Sequence, residues 1–60
     1  MNEDILRYLD RAEEALESAR ILHRENHYLD AASRAYYSMY HAAMAALSTE
    51  NISVKTHKGN

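Results

Sequence analysis

The sequence contains nothing that would interrupt a helix until its second-to-last residue. Proline is absent, and the single glycine is Gly59. These two residue types disfavour helix interiors most strongly, by about 3 kcal/mol for proline and about 1 kcal/mol for glycine relative to alanine. We therefore predict an all-α chain.

The first predicted helix spans about residues 3–24. Asn2 can cap it, acidic side chains follow at the positive end of the helix dipole, and basic ones stand at the other end. The apolar side chains recur every three or four residues, as in an amphipathic helix, while the opposite face is charged. This apolar stripe consists of Ile5, Leu9, Ala12, Leu16, Ala19 and His23, with Tyr8, Ala15 and Leu22 beside it.

A turn is predicted around Glu25, Asn26 and His27, because asparagine tolerates left-handed backbone geometry. So short a connection predicts an antiparallel helical hairpin. The second predicted helix spans about residues 28–49, and the tail, residues 51–60, reads as an exposed end without a third helix.

The second predicted helix is apolar or small on every side, with Asp30 and Arg34 its only charged residues. Such a helix is either buried all round or spans a membrane, and the uncharged run 35–49 is too short and too polar to span one. Since the first helix covers one side, two others, the alanine ridge among them, still need a partner. The three stripes are Leu29, Ala32, Tyr36, Met39, Ala43 and Ala46; Tyr37, Tyr40, Met44 and Leu47; and the alanine ridge of Ala31, Ala35, Ser38, Ala42 and Ala45.

Sixty residues make one domain at most, and a chain of this length buries only about 60% of its unfolded surface. The absence of cysteine excludes disulfides and zinc–thiolate sites. We therefore expect half of an up-and-down four-helix bundle, completed by homodimerisation or by a missing C-terminal half. The expected interface is Ala31, Ala35, Tyr36, Met39, Ala42, Ala43 and Met44.

The net charge of −2 argues against nucleic-acid binding over a whole basic face. The polar, acidic start of the chain is not a targeting segment, so a cytoplasmic protein that does not contact membranes is expected.

Four segments resemble the HEPN domain family: YLDRA at 8–12, ENHY at 25–28, SRAYYSMYHAA at 33–43 and KTHKG at 55–59. The resemblance covers nearly the whole chain, but only the front part of the family's helical bundle. It implies a bundle that often dimerises and often works beside a nucleotidyltransferase-type partner. It also implies nucleotide or RNA binding and, in some members, RNA cleavage without a metal.

Arg34 and His41 match the spacing of the family's ribonuclease motif, in which arginine and histidine from two protomers act together. Seven residues separate them, so they lie about 20° apart around the helix and about 10.5 Å apart along it. A histidine can transfer protons near neutral pH, and an arginine can stabilise a phosphorane. Active members usually have Asn or Asp after the arginine, where this chain has Ala35, and carry the motif in a later helix. The structural alternative is that Arg34 pairs with an acid such as Asp30 and His41 is a hydrogen-bonded core residue.

Tyr37, Tyr40, Lys55 and Lys58 are the candidate binding residues for a nucleotide or RNA, because rings stack on bases and lysines contact phosphate. The alternative is that the rings pack in a core or interface and the lysines belong to a solvated end.

His23 and His27 have a metal-binding spacing, but the predicted helix ends between them and no third ligand beyond Glu25 is evident. We expect no metal and no cofactor.

Three functions therefore remain open. The first is a helical association module, binding nucleotide or RNA beside a nucleotidyltransferase-type partner. The second is a metal-independent, toxin-like endoribonuclease that uses Arg34 and His41 across a dimer. The third is a fragment that only oligomerises.

Overall fold

The computed structural model describes the backbone of residues 3–58 and the side chains of residues 3–50. Its elements are α1, Glu3–Arg24, and α2, Tyr28–Lys58, and residues 3–58 contain no strand. Acidic side chains occupy the first turn of α1 and basic ones its last turn, which stabilises both ends of the helix dipole.

The contacts between the helices pair early residues of α1 with late residues of α2. The ring of Tyr8 stacks on that of His41 with 6.3 Å between centroids. Closer to the turn, the Ser38 hydroxyl donates a hydrogen bond of 2.7 Å to the carbonyl oxygen of Ala12. This order makes the helices antiparallel, and the predicted all-α helical hairpin is confirmed.

The turn closes α1 by backbone hydrogen bonds around a left-handed residue. Asn26 has a φ of 67°. Its N–H donates to the carbonyl of His23 at 3.0 Å, and the N–H of His27 donates to that of Leu22 at 2.8 Å. This is the Schellman pattern of helix C-termini, which asparagine adopts at lower cost than most non-glycine residues. The Tyr28 hydroxyl also donates to Oδ1 of Asn26, at 2.8 Å.

The second helix is longer than the sequence predicted. Its expected end near Thr49 was wrong, because the backbone of α2 stays helical to Lys58. The predicted exposure of the tail, residues 51–60, concerns side chains outside the described ones. No proline or glycine occurs before Gly59, so no residue type in this segment stops the helix.

The seam between the helices is built from small residues. Five of its six buried apolar residues are alanine, which lets two helix backbones approach closely. The hydrogen bond from the Ser38 side chain to a backbone carbonyl of α1 depends on this closeness. The six are Ile5, Ala12, Ala15, Ala19, Ala31 and Ala45.

Two expectations about these faces were wrong. Part of the alanine ridge needs no outside partner, because α1 covers it and leaves Ala31 only 7% and Ala45 only 4% exposed. In α1, Leu9 and Leu16 belong to the predicted buried stripe, yet both are exposed. Leucine in the seam would hold the helices apart, so the smaller side chains of each helix face one another instead.

The side of α2 that points away from α1 carries large apolar side chains, and we call it the outer face. From Leu29 to Leu47 this face has no charged residue, and all its side chains are exposed. Over the residues that the structure describes, neither helix has a stretch both long and apolar enough to cross a membrane. The outer face consists of Leu29, Tyr36, Met39, Tyr40, Ala43 and Leu47.

Candidate functional site

Arg34, Tyr37 and His41 form one stack along α2. The guanidinium carbon of Arg34 lies 4.7 Å from the centre of the Tyr37 ring. The imidazole of His41 stacks on the same ring, with 4.9 Å between centroids and 21° between planes. Arg34 lies one turn before Tyr37 and His41 one turn after it. The tyrosine ring therefore fills the gap that the sequence predicted between the arginine and the histidine.

Three tyrosine rings surround His41, which is half-buried. Besides Tyr37, the ring of Tyr40 meets it edge-on at 5.3 Å, and Tyr8 approaches from α1. The Nδ1 atom of His41 is buried and has no hydrogen-bond partner, an arrangement that costs about 1–3 kcal/mol. His41 is thus held by ring packing. The structural alternative, a hydrogen-bonded core histidine, does not fit its Nδ1 atom.

Arg34 is half-buried and has no carboxylate partner in the described part of the chain. The ion pairs among the side chains of residues 3–50 all lie within α1, so the alternative pair with Asp30 is not formed. Its contact with the face of Tyr37 is a cation–π interaction, which leaves the N–H groups of the guanidinium able to donate to a bound group.

The stack lines a shallow groove of about 300 Å³ between the two helices, which we call the polar groove. It brings Arg34 and His41 into one site and adds charged side chains from α1. A groove with an imidazole and two guanidinium groups suits proton transfer and the binding of an anion. Its lining is Arg11, Glu14, Ala15 and Ser18 from α1, and Arg34, Tyr37 and His41 from α2.

Sequence reasoning missed Arg11 and Glu14. Both belong to the charged side of α1, and no periodic feature of that side shows which charges border α2. Their nearness to the buried residues Ala12 and Ala15 was the available signal, because a side chain next to the seam can reach the other helix.

The predicted binding residues separate into two groups. Tyr37 lines the polar groove, whereas Tyr40 is on the outer face with its ring edge against His41. Both tyrosines are partly accessible to solvent. Lys55 and Lys58 belong to the helical backbone of α2, but their side chains lie outside the described residues.

The predicted interface residues also divide. Tyr36, Met39 and Ala43 are on the outer face, and Ala42 is exposed as well. Ala31 is buried in the seam, while Ala35 and Met44 are half-buried.

A second groove, of about 750 Å³, lies near the turn, and four of its nine lining residues are alanine. At its end the rings of His23 and Tyr28 meet edge-on at 5.3 Å. Because α1 ends at Arg24, His23 and His27 do not share a helix. In the described part of the chain, no group of three or more histidine, aspartate or glutamate side chains could hold a metal ion.

Comparison with known proteins identifies the class of this helical hairpin. A model of the HEPN domain matches residues 5–59. A candidate toxin of Methanocaldococcus jannaschii is 42% identical over 59 residues, which is 98% of this chain and 44% of that protein. A UPF0332 protein of Gloeobacter violaceus is 45% identical over 51 residues, 85% of this chain and 40% of that protein.

A second candidate toxin of Methanocaldococcus jannaschii is 36% identical over 56 residues, 93% of this chain and 38% of that protein. The chain thus spans about two-fifths of the length of these relatives. No solved structure is significantly similar to it. The chain belongs to the HEPN domain family.

Proposed function

We propose that this chain is a HEPN-type association module whose outer face packs against another helical surface. The observation that carries the proposal is the exposure of that face, where Leu29 is 86%, Tyr36 68% and Met39 66% accessible. Contiguous exposed apolar side chains of this size are typical of interaction sites.

The dimensions of the hairpin support the same proposal. The chain exposes 4970 Å², about 1000 Å² more than expected for a compact folded chain of this length. Its radius of gyration is 14.8 Å, against about 10 Å for a compact domain of the same size. A standard interface buries about 800 Å² per partner, so the excess area is enough for one interface.

A second copy of the chain is the occupant that best fits the outer face. The face is uncharged, and its large side chains Tyr36 and Met39 have the small Ala43 as a neighbour, so two copies can interdigitate without burying a charge. Packing two hairpins in this way forms a four-helix bundle. The family resemblance implies a nucleotidyltransferase-type protein as the other possible partner for the outer face, and the test must distinguish it from a second copy of the chain.

Sedimentation velocity of the chain at micromolar concentrations tests the association. We expect a dimer, and we expect Met39→Lys to yield a helical monomer because the charge would have to be buried. Ile21→Lys is the matched control, since Ile21 is an exposed apolar residue of α1 outside the outer face. It should leave the dimer intact.

A cooperatively unfolding monomer of the unmodified chain would contradict the homodimer. Binding of a purified nucleotidyltransferase to that monomer, lost in Met39→Lys, would assign the outer face to the other partner instead.

Metal-independent RNA cleavage is a second candidate function, and the stack of Arg34, Tyr37 and His41 favours it. In its favour, the stack combines an imidazole, which can transfer protons, with a guanidinium that has no carboxylate partner among the described side chains, and both line one groove. Two relatives bear names that describe them as toxins, which agrees with this chemistry.

Cleavage of single-stranded RNA in the presence of a chelator tests this function. We expect His41→Ala to abolish it and His23→Ala, the matched histidine control near the turn, to retain it. If cleavage survives His41→Ala, or if the unmodified chain does not cleave RNA, the proposed ribonuclease function is excluded. A dimer that neither cleaves nor binds RNA would leave only oligomerisation.

A further inference from the structure

We propose that Arg11 of α1 and Arg34 of α2 together bind a phosphate group in the polar groove, and that Glu14 limits the affinity of this site. The inference deepens the proposed RNA-directed function by naming a binding residue on the other helix. The sequence analysis gives Arg11 no role, although it lies in the YLDRA segment, and the folding of α1 against α2 brings it into the same groove as Arg34.

The first argument is that the arginines of the groove have no carboxylate partners among the described side chains. The ion pairs among residues 3–50 join Arg7 to Glu3 and Asp4, and Arg20 to Glu17. Neither Arg11 nor Arg34 forms one, although Glu14 lines the same groove. Arginines that border a concave site without internal counterions are suited to bind an external anion.

The second argument is the charge of the groove. Two arginines and one glutamate give it a net charge of about +1 with His41 neutral, in a chain whose net charge is −2. The positive charge is therefore local, and it coincides with the buried Nδ1 of His41, which has no hydrogen-bond partner. These groups converge from both helices on one volume of about 300 Å³.

The third argument concerns the kind of anion. Guanidinium groups on opposite walls can donate to different oxygens of one phosphate, and the exposed edge of the Tyr37 ring can contact an attached base. Phosphate is the group shared by inorganic phosphate, a mononucleotide and RNA, so the experiment compares all three. Glu14 repels each of them, and removing its charge should strengthen binding.

The test is a titration of the isotopically labelled full chain, followed by NMR shifts of backbone amides that border the groove. The probes are inorganic phosphate, adenosine monophosphate and a short single-stranded RNA without secondary structure. Low ionic strength is used because salt screens charges at an open groove.

We expect Arg11→Gln to weaken RNA binding about tenfold, since a charge-assisted hydrogen bond is lost. Glu14→Gln should tighten binding about threefold, because a repulsive charge is removed. Arg7→Gln is the matched control: it removes the same charge from the same helix, but Arg7 pairs with Glu3 and Asp4 outside the groove. It should change binding less than twofold.

The probes and the cleavage assay separate this inference from the function on which it rests. Binding that depends on Arg11 in a chain that does not cleave RNA would support the phosphate site and remove the ribonuclease. Cleavage and binding unchanged in Arg11→Gln would overturn the phosphate site and leave the ribonuclease standing. Equal weakening by Arg11→Gln and Arg7→Gln, or no binding of any probe, would also overturn it.

The three probes distinguish the source of the phosphate. Saturation by inorganic phosphate alone would support a simple anion site, whereas tighter binding of the mononucleotide or RNA would support a site to which the base also contributes.

Discussion

The two faces of α2 differ in the size of their side chains. In most proteins the large apolar side chains are buried, whereas in this hairpin the buried face of α2 is small and the exposed face is large. The face toward α1 is made of Ala31, Ala45 and other small residues, whereas Leu29, Tyr36 and Met39 point away from it and are exposed. Full burial of a leucine or methionine side chain contributes about 1.5–3 kcal/mol, and alanine has far less apolar surface to bury. Most of the hydrophobic free energy that α2 can supply is therefore unused within the hairpin.

This difference shows that closeness and hydrophobicity are separate properties of a helix face. Small residues shape the seam, so the helices meet along their length and a serine side chain reaches a backbone carbonyl of the other helix. The large residues of the other face are available for a second contact. We expect a hairpin built in this way to gain much of its stability when a partner covers that face.

The largest predicted effect comes from placing a large apolar side chain, of the kind found on the outer face, in the seam between the helices. Ala45→Leu should lower the free energy of unfolding by about 1–3 kcal/mol, because the seam has no room for three more carbon atoms. Urea unfolding followed by circular dichroism, at one fixed protein concentration, measures it. Ala46→Leu is the control, since the neighbouring alanine is exposed. Equal stability of the two variants would show that the seam is not closely packed.

The sequence predicted the hairpin because its local signals agree. Charged ends mark α1, and Asn26 is the residue between the helices that most readily takes a positive φ. The segment after Thr49 also lacks proline and glycine as far as Lys58, so the same observation explains why α2 is longer than predicted. The lack of helix breakers there outweighs the polar character of the segment.

The choice among the faces of α2 could not be predicted from hydrophobicity. All three stripes are apolar or small, and the most apolar one is not the stripe that α1 covers. The match in side-chain size between the facing surfaces of the two helices decides which stripe is buried. It also decides this for α1, where Leu9 and Leu16 belong to the predicted stripe but are exposed.

The candidate site was partly predictable for a related reason. Helix geometry alone places Arg34 and His41 on one side of α2, and the family resemblance drew attention to the pair. The ring of Tyr37 between them, and Arg11 across the seam, depend on side-chain conformation and on how the helices pack, which residue spacing does not encode.

A smaller effect is expected from removing the one side-chain hydrogen bond that joins the helices among the side chains of residues 3–50. Ser38→Ala should lower the free energy of unfolding by about 0.5–1.5 kcal/mol, because the carbonyl of Ala12 loses its second donor. Ser33→Ala is the control, since Ser33 is exposed on the same helix. If Ser38→Ala unfolds at the same urea concentration as Ser33→Ala, the hydrogen bond does not hold the seam together.

The smallest effect on the hairpin itself is expected at the most exposed apolar residue of the outer face. Leu29→Gln should change the stability of the monomeric hairpin by less than about 0.5 kcal/mol, because an exposed side chain makes few contacts. At concentrations where dimers form, its effect should grow, since a partner that binds only the folded chain adds stability by mass action. Ser38→Ala acts within one chain and should show the same loss at every concentration. Measuring both variants across a hundredfold range of protein concentration therefore separates the two faces of α2. A Leu29→Gln effect that stays constant across this range would mean that the outer face near the turn is not part of an interface between copies of this chain.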